Sequence, residues 1–160
     1  MHRSPLRLAA ATAGGLAALA LPAVASAQIQ VDKGIAGARI GNTVAQVHVA
    51  LGRPTSVQSG TNDFGRFREE KYAGGITVDY QGARAVSSVT TTGLGDRTAK
   101  GVGVGSTEAA VRANVPGVRC ETIAGSRSCH THTFTAGRRV TDFFIKSGKV
   151  TRVSLGVVID

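Results

Sequence analysis

Apolar residues take up helical spacing in the stretch RIGNTVAQVHVALGRP, residues 39–54. Val44, Val47 and Leu51 fall on one helical face, and Thr43 precedes them at a position where a hydroxyl commonly caps a helix. A helix of about eight residues is not stable alone in water, so this one must lie on an apolar surface. The pattern predicts a short amphipathic helix that packs on other elements.

A second stretch, GVGSTEAAVRANVPG at residues 103–117, has a similar pattern. Thr107 stands at the capping position, Val111 and Val115 face the same way, and Pro116 ends the segment. We therefore predict a second short helix of the same kind.

A constant offset of 64 residues relates the two helical stretches and the segments that follow them. The offset needs no gap, and it holds at both ends of the unit while the middle diverges. These matches indicate an internal duplication. The matched pairs include Gly37 and Gly101, Gly41 and Gly105, Thr43 and Thr107, Val47 and Val111, Tyr80 and Phe144, and Val89 and Val153.

Alternating apolar residues after each helix predict strands. The predicted fold class is α+β, with two tandem repeats that each have a short helix packed on an antiparallel meander of three to four strands. One such unit buries too little surface to fold alone, so the two should share a core or join their sheets edge to edge. The repeats are residues 28–97 and 98–160, with strands at 66–73, 76–81, 85–92, 128–136, 140–146 and 149–159.

The run IGNTVAQVHVALGRP, residues 40–54, resembles the signature of the SmpA/OmlA type of small envelope protein. A tandem of two such units is similar to the secreted beta-lactamase inhibitory proteins, whose helical segments also lie on an antiparallel sheet. The chain departs from these families in having no lipid-accepting cysteine, a single cysteine pair and few aromatic residues. The resemblance implies a binding architecture, and inhibition of a protease or a beta-lactamase is one function it suggests.

The N-terminal segment, residues 1–27, has the pattern of a secretory signal peptide. Arg3 and Arg7 precede an apolar run that ends in the small residues ASA. A membrane anchor is the alternative, but Pro22 interrupts the run and no comparable run follows. We expect cleavage near Ala27, an extracytoplasmic or secreted location, and no membrane insertion of the mature chain.

The two cysteines, Cys120 and Cys129, are close together in the second half of the chain. In an exported protein, this spacing predicts one disulfide that closes a small loop. A redox-active pair is the alternative, but the C-x-x-C spacing of such pairs is missing.

Basic residues outnumber acidic ones, and the excess of positive charge differs between the two halves of the chain. Without residues 1–27, seventeen Lys and Arg residues face ten acidic residues, so the formal charge is +7. Residues 28–97 contribute +2 and residues 98–160 contribute +5. Export and the absence of Trp make nucleic acid an unsuitable partner. An anionic envelope component or a protein is the expected partner, and charge that serves only solubility is the alternative.

Candidate metal chemistry is confined to Cys129, His130 and His132. The two histidines would share one strand face, as metal ligands can. No carboxylate stands on a matching strand, and Cys129 is expected to be oxidised. We therefore expect that His130 and His132 bind no metal.

The sequence also lacks the common catalytic motifs. The chain has neither G-x-S-x-G nor H-E-x-x-H, and the glycine-rich residues 101–106 lack the lysine of a P-loop. Glu69 and Glu70 are adjacent, but strand alternation would point them to opposite faces. A triad assembled from distant residues is the alternative left open. We predict that the protein is not an enzyme and uses no cofactor.

A ligand surface is predicted on the second half, where the charge is greatest and apolar residues occupy both faces of one strand. The function that follows is a secreted, non-enzymatic binding module that presents its sheet to a protein or envelope partner. A structural envelope protein without one tight ligand, or an inhibitor-like protein, is the alternative. The surface comprises Phe143, Arg138, Arg139 and Arg152, with His130 and His132 at its edge.

Overall fold

A computed structural model describes residues 29–82 and 84–159. Strands dominate this part of the chain, and two short helices accompany them. The N-terminal strands are β1 (Ile29–Gln30), β2 (Gly34–Ile35) and β3 (Ala38–Arg39), followed by helix α1 (Val44–Leu51) and strands β4 (Ser56–Asn62), β5 (Gly65–Tyr72), β6 (Ile76–Gln81) and β7 (Ala85–Thr91). The remaining elements are helix α2 (Glu108–Asn114) and strands β8 (Arg119–Ile123), β9 (Ser126–His130), β10 (Arg139–Lys146) and β11 (Lys149–Val157).

Eight strands form one antiparallel sheet, here called the large sheet, in the order β4-β5-β6-β7-β11-β10-β9-β8. Strands β1 to β3 form a separate small sheet. The two halves of the chain meet where β7 pairs with β11, for example at Val89 opposite Leu155 and Thr90 opposite Ser154. The hydroxyls of Thr90 and Ser154 also hydrogen-bond across this junction at 2.9 Å.

The predicted fold class, α+β with two tandem helix-on-meander repeats, is wrong. The described chain is mostly β, with one continuous large sheet and a second small sheet. The physical reason is that β7 and β11 would each be an exposed sheet edge in separate units, and pairing them satisfies both edges. The strands β4 and β8 were not predicted because their residues are almost all exposed and show no apolar alternation.

The starts of the two helices are alike at positions 64 residues apart. Gly41 donates its backbone N–H to the carbonyl of Val86 at 2.9 Å, and Gly105 donates to the carbonyl of Val150 at 2.7 Å. This recurrence is local and does not divide the large sheet into two units. The internal duplication itself stays a prediction.

Both helices are capped by the threonines that the sequence indicated. The Oγ1 of Thr43 accepts a hydrogen bond from the backbone N–H of Gln46, whose side chain accepts the N–H of Thr43 at 2.9 Å. Thr107 accepts the N–H of Ala110 at 3.2 Å. These bonds satisfy N–H groups that the first turn of a helix leaves without partners. Gly52 ends α1 with a φ of 79°, which glycine adopts without strain.

The core lies between one face of the large sheet and a cover made of α1, α2 and the small sheet. The strand β6 shows the alternation: Ile76, Val78 and Tyr80 are buried, while Thr77 and Asp79 point the other way and are half-buried. The buried core includes Ile29, Ile35, Ala38, Val47, Val78, Tyr80, Val89, Val111, Phe143 and Val153.

The opposite face of the large sheet carries no helix or strand in the part of the chain that the structure describes. We call it the open face and define it by the residues in register on that side. They are Thr77, Asp79, Ser88, Thr90, Ser154, Asp142, Phe144 and Arg152.

Cys120 and Cys129 form the predicted disulfide. The two residues lie directly opposite each other in β8 and β9, with Cα atoms 3.9 Å apart. The proposed signal peptide, residues 1–27, lies outside the described residues. Within residues 29–82 and 84–159, neither helix has the length and apolar character needed to span a membrane.

Two valines in α1 give a matched test of which helix face is buried. Val47 is fully buried and Val49 is 89% exposed. Val47→Asp should reduce the free energy of unfolding by several kcal/mol, since it places a charge in the core. Val49→Asp should change it by less than about 0.5 kcal/mol. Urea denaturation of both variants measures the difference, and similar midpoints would contradict this placement of α1.

The disulfide should stabilise the edge of the large sheet at β8. Replacing both Cys120 and Cys129 by Ser should lower the free energy of unfolding by about 2.5–3 kcal/mol, because a loop of about ten residues is no longer closed in the unfolded chain. Intact mass of the native protein, with and without reduction, measures the bond directly. Two free thiols in unreduced protein would refute it.

Candidate functional site

A depression of about 260 Å³ opens on the open face between β10, β11 and the chain that follows β9. Its floor lacks a side chain at Gly156, which lies opposite Val140. Phe134, 48% exposed, lines one side and lies over the ring of His130 with centroids 4.8 Å apart. The lining is mainly apolar and includes Phe134, Val140, Asp142, Phe144, Val157 and Val158.

Asp142 places a carboxylate in this apolar lining. Its Oδ1 is buried and has no hydrogen-bond partner among the described residues. Burial raises the pKa of Asp142, and the Ser128 hydroxyl and the charges of His130 and Arg152 act in the opposite direction. An unpaired buried acceptor is costly, so Asp142 is suited to accept a hydrogen bond from a ligand.

Arg152 is held on the open face by an aromatic ring. Its guanidinium lies 3.8 Å from the ring centroid of Phe144, a cation–π arrangement. The two residues are cross-strand partners in β10 and β11. The edge of the depression therefore presents a positive charge and an apolar ring together.

His130 is 2% exposed and fixed at both ring nitrogens. Its Nε2 lies 2.7 Å from the Oε1 of Glu121, and its Nδ1 lies 2.8 Å from the carbonyl oxygen of His132. A carbonyl only accepts hydrogen bonds, so Nδ1 carries the proton in that contact. The ring has no nitrogen left for a ligand and acts as a support for Phe134.

The predicted ligand residue Phe143 is fully buried in the core, which corrects the prediction. Strand alternation in β10 places Thr141, Phe143 and Ile145 on the covered side and Phe144 on the open face. Apolar residues on both sides of this strand made the choice between Phe143 and Phe144 ambiguous in the sequence.

The other predicted ligand residues do not form one surface. His130 and Arg152 adjoin the depression, whereas Arg139 lines a separate cavity of about 370 Å³ with Lys33 and Arg39. Arg138 and His132 line a cleft of about 210 Å³, here called the arginine cleft. Its lining consists of Gly117, Arg119, Thr131, His132, Thr133 and Arg138.

Asp32 anchors the wall of the arginine cleft. Its Oδ1 accepts hydrogen bonds from the hydroxyls of Thr131 at 2.7 Å and Thr141 at 2.9 Å. Its Oδ2 lies 3.1 Å from the Nε2 of His132. Asp32 could not be predicted from the sequence, because its partners are 99 to 109 residues away and no local pattern points to it.

A second cluster surrounds Glu70, which is fully buried on the covered side of β5. Arg68 Nη2 donates to it at 2.6 Å, the hydroxyls of Tyr72 and Tyr80 donate at 2.5 and 2.9 Å, and His48 Nε2 lies 3.1 Å away. Burial raises the pKa of Glu70, but these four hydrogen bonds outweigh it and hold the pKa below its usual range. The four partners tie α1, β5 and β6 together around one charge.

The prediction that Glu69 and Glu70 point to opposite faces is confirmed, since Glu69 is partly exposed. The cluster around Glu70 satisfies both carboxylate oxygens with donors from this chain. We therefore interpret it as a packing element of the core.

One group of potential metal ligands occurs among the described residues, Glu108 with Cys120 and Cys129. Both sulfurs are in the disulfide, so they do not offer thiolates to a metal. His130 and His132, considered as metal ligands with Cys129, bind different carboxylates.

No family model matches the chain, and no curated protein is similar to it in sequence. Among solved structures, it is similar to the uncharacterized protein YfeY from Escherichia coli, with a TM-score of 0.51 and 12% identity over 82% of this chain and 99% of that one. This likeness concerns the fold alone.

Two further solved structures are similar with lower TM-scores. A cysteine-rich secretory protein from Staphylococcus aureus has a TM-score of 0.48 and 11% identity over 74% of this chain, which spans 44% of that protein. A DUF4309 family protein, YjgB, from Bacillus subtilis has a TM-score of 0.47 and 20% identity over 72% of this chain and 78% of that one. None of the three is of the SmpA/OmlA or beta-lactamase inhibitory type, so that resemblance stays a prediction.

Glu70 should make stability depend on pH in the acid range. Because its pKa in the folded state is below the ordinary 4.5, its contribution is present above about pH 5 and is lost as the pH falls through the folded pKa. Glu70→Gln should destabilise the protein by about 2–3 kcal/mol at pH 7 and by much less at pH 3. Urea denaturation at several pH values measures this convergence.

Glu69→Gln is the matched control, since it removes the neighbouring charge on the open face. Glu108, whose pKa is lowered to about 2 by Arg127 and Arg112, adds acid sensitivity that both variants share. Parallel pH profiles for Glu69→Gln and Glu70→Gln would show that the Glu70 cluster does not act as described.

Proposed function

We propose that this protein is an extracytoplasmic, non-enzymatic binding module that presents the open face of its large sheet to a protein partner. The observation that carries the proposal is the depression, where the unpaired Oδ1 of Asp142 lies among apolar side chains. An apolar pocket with one well-placed polar group is typical of a site that receives a side chain from a partner.

The residues around the depression suit a protein surface. Phe134 is a large exposed aromatic residue, and Arg152 is held against Phe144. Aromatic residues and arginine are enriched at the centres of protein interfaces, since they bury much surface and lose little conformational freedom. A donor group on the partner would satisfy Asp142 and add orientation to the apolar contact.

The cellular location is part of the proposal. The disulfide between Cys120 and Cys129 is compatible with an oxidising, extracytoplasmic environment. The sequence pattern of the proposed signal peptide, residues 1–27, supports the same cellular location. A structural envelope protein without a tight ligand is the alternative that the experiment must exclude.

Site-specific photo-crosslinking compares the open face with the exposed side of α1. A photoreactive phenylalanine analogue replaces Phe134 in one variant and Val49, the exposed residue of α1, in the other. Irradiation in the envelope fraction of the producing cell should attach a protein at position 134 and not at position 49. Absence of a crosslinked protein at both positions would favour the structural alternative.

Binding of the purified partner should depend on the depression. Phe134→Ala and Asp142→Ala should each raise the Kd at least tenfold, as expected for residues at the centre of an interface. Val49→Ala should change it less than twofold. Titration calorimetry measures these values, and equal affinities for all variants would contradict the proposed surface.

A further inference from the structure

The arginine cleft lies apart from the depression and is lined by residues of a different character. It is enclosed by Gly117 and Arg119 at the start of β8, by residues 131–133 after β9, and by Arg138 before β10. Two arginines, one histidine and two threonines line one cleft of about 210 Å³.

Neither arginine has a carboxylate partner in the described part of the chain. Across residues 29–82 and 84–159, the guanidiniums of Arg119 and Arg138 take part in no ion pair and no hydrogen bond, whereas Arg68, Arg112 and Arg127 each bind a glutamate. Two cations that share a cleft repel each other, and an anion between them removes that repulsion.

The nearby carboxylates are already engaged elsewhere. Glu121 binds the ring of His130, and Asp32 receives the hydroxyls of Thr131 and Thr141 together with the ring of His132. These contacts leave the arginines without a counter-ion among the residues that the structure describes. The contact with Asp32 also holds the His132 ring in place, with Nε2 facing the carboxylate.

We propose that the arginine cleft is a binding site for a phosphate-type oxyanion. Guanidinium groups match phosphate geometry with paired N–H donors, and the hydroxyl of Thr133 can supply one further donor. A phosphate oxyanion has more charged oxygens than a carboxylate, so it can accept paired donors from both guanidiniums at once. The phosphate of a wall polymer and that of a lipid headgroup share this chemistry. The site goes beyond the proposed protein-binding face and does not depend on it.

Amide NMR titration of the full mature chain tests the proposal, with inorganic phosphate, glycerol phosphate and acetate as probes at constant ionic strength. Saturable shifts should be confined to residues 117–119 and 131–138, and phosphate should bind at least fivefold more tightly than acetate. Shifts spread over all basic residues, or equal binding of acetate, would overturn the proposal.

Variants that remove the same charge separate the cleft from general attraction. Arg119→Gln with Arg138→Gln should weaken phosphate binding at least tenfold, while Arg53→Gln with Arg84→Gln, at exposed positions of the first half, should weaken it less than twofold. Arg139→Gln, in the other basic cavity, should also have little effect. Arg138→Lys keeps the charge but loses the paired donors, so it should bind more weakly than the native protein. Equal losses in the cleft pair and the control pair would overturn the proposal.

Two further probes identify the source of the phosphate. Binding to soluble poly(glycerol phosphate) that depends on Arg119 and Arg138 points to a wall polymer. Binding to phosphatidylglycerol vesicles and not to phosphatidylcholine vesicles, with the same dependence, points to a lipid headgroup. If the protein binds both polymer and vesicles and this binding is unaffected by substitution of Arg119 and Arg138, the assignment to this cleft is contradicted.

Discussion

The pairing of β7 with β11 determines how the rest of the structure is arranged. Four residue pairs, including Val89 with Leu155 and Thr90 with Ser154, join the strands of the two halves into one sheet. Both strands carry buried apolar residues on one side, so their pairing continues the core from one half to the other. Without it, each half would have an unpaired central edge and a core too small for independent stability.

One continuous sheet also explains why the two faces differ. The helices and the small sheet cover the side that carries Val78, Val89 and Val153, and the other side is left to polar residues and the depression. A binding surface on the open face needs no rearrangement of the core. The arginine cleft lies beyond the end of β9, where the chain leaves the sheet. Asp32 binds the hydroxyls of Thr131 and Thr141 there and holds this part of the chain in place.

The elements that carry a strong local signal could be predicted from the sequence. The two capped helices, the strand at residues 76–81 and the disulfide were predicted and confirmed. The strands β4 and β8 were missed because their residues are almost all exposed, and the two-residue strands of the small sheet are too short to show any period.

The candidate site was predicted only in part. His130 and Arg152 lie beside the depression, but Phe143 was chosen in place of Phe144, because alternation defines two faces without saying which one is covered. Asp32 and Asp142 gave no signal, since their roles depend on contacts between distant segments. Such contacts are set by the fold and not by local patterns.

Native-state hydrogen exchange tests most directly whether the large sheet is a single cooperative unit centred on β7 and β11. The amides of both strands should exchange only through global unfolding, with the same free energy and the same dependence on denaturant. Exchange of one half at a clearly lower free energy, with the amides between β7 and β11 opening locally, would contradict this account.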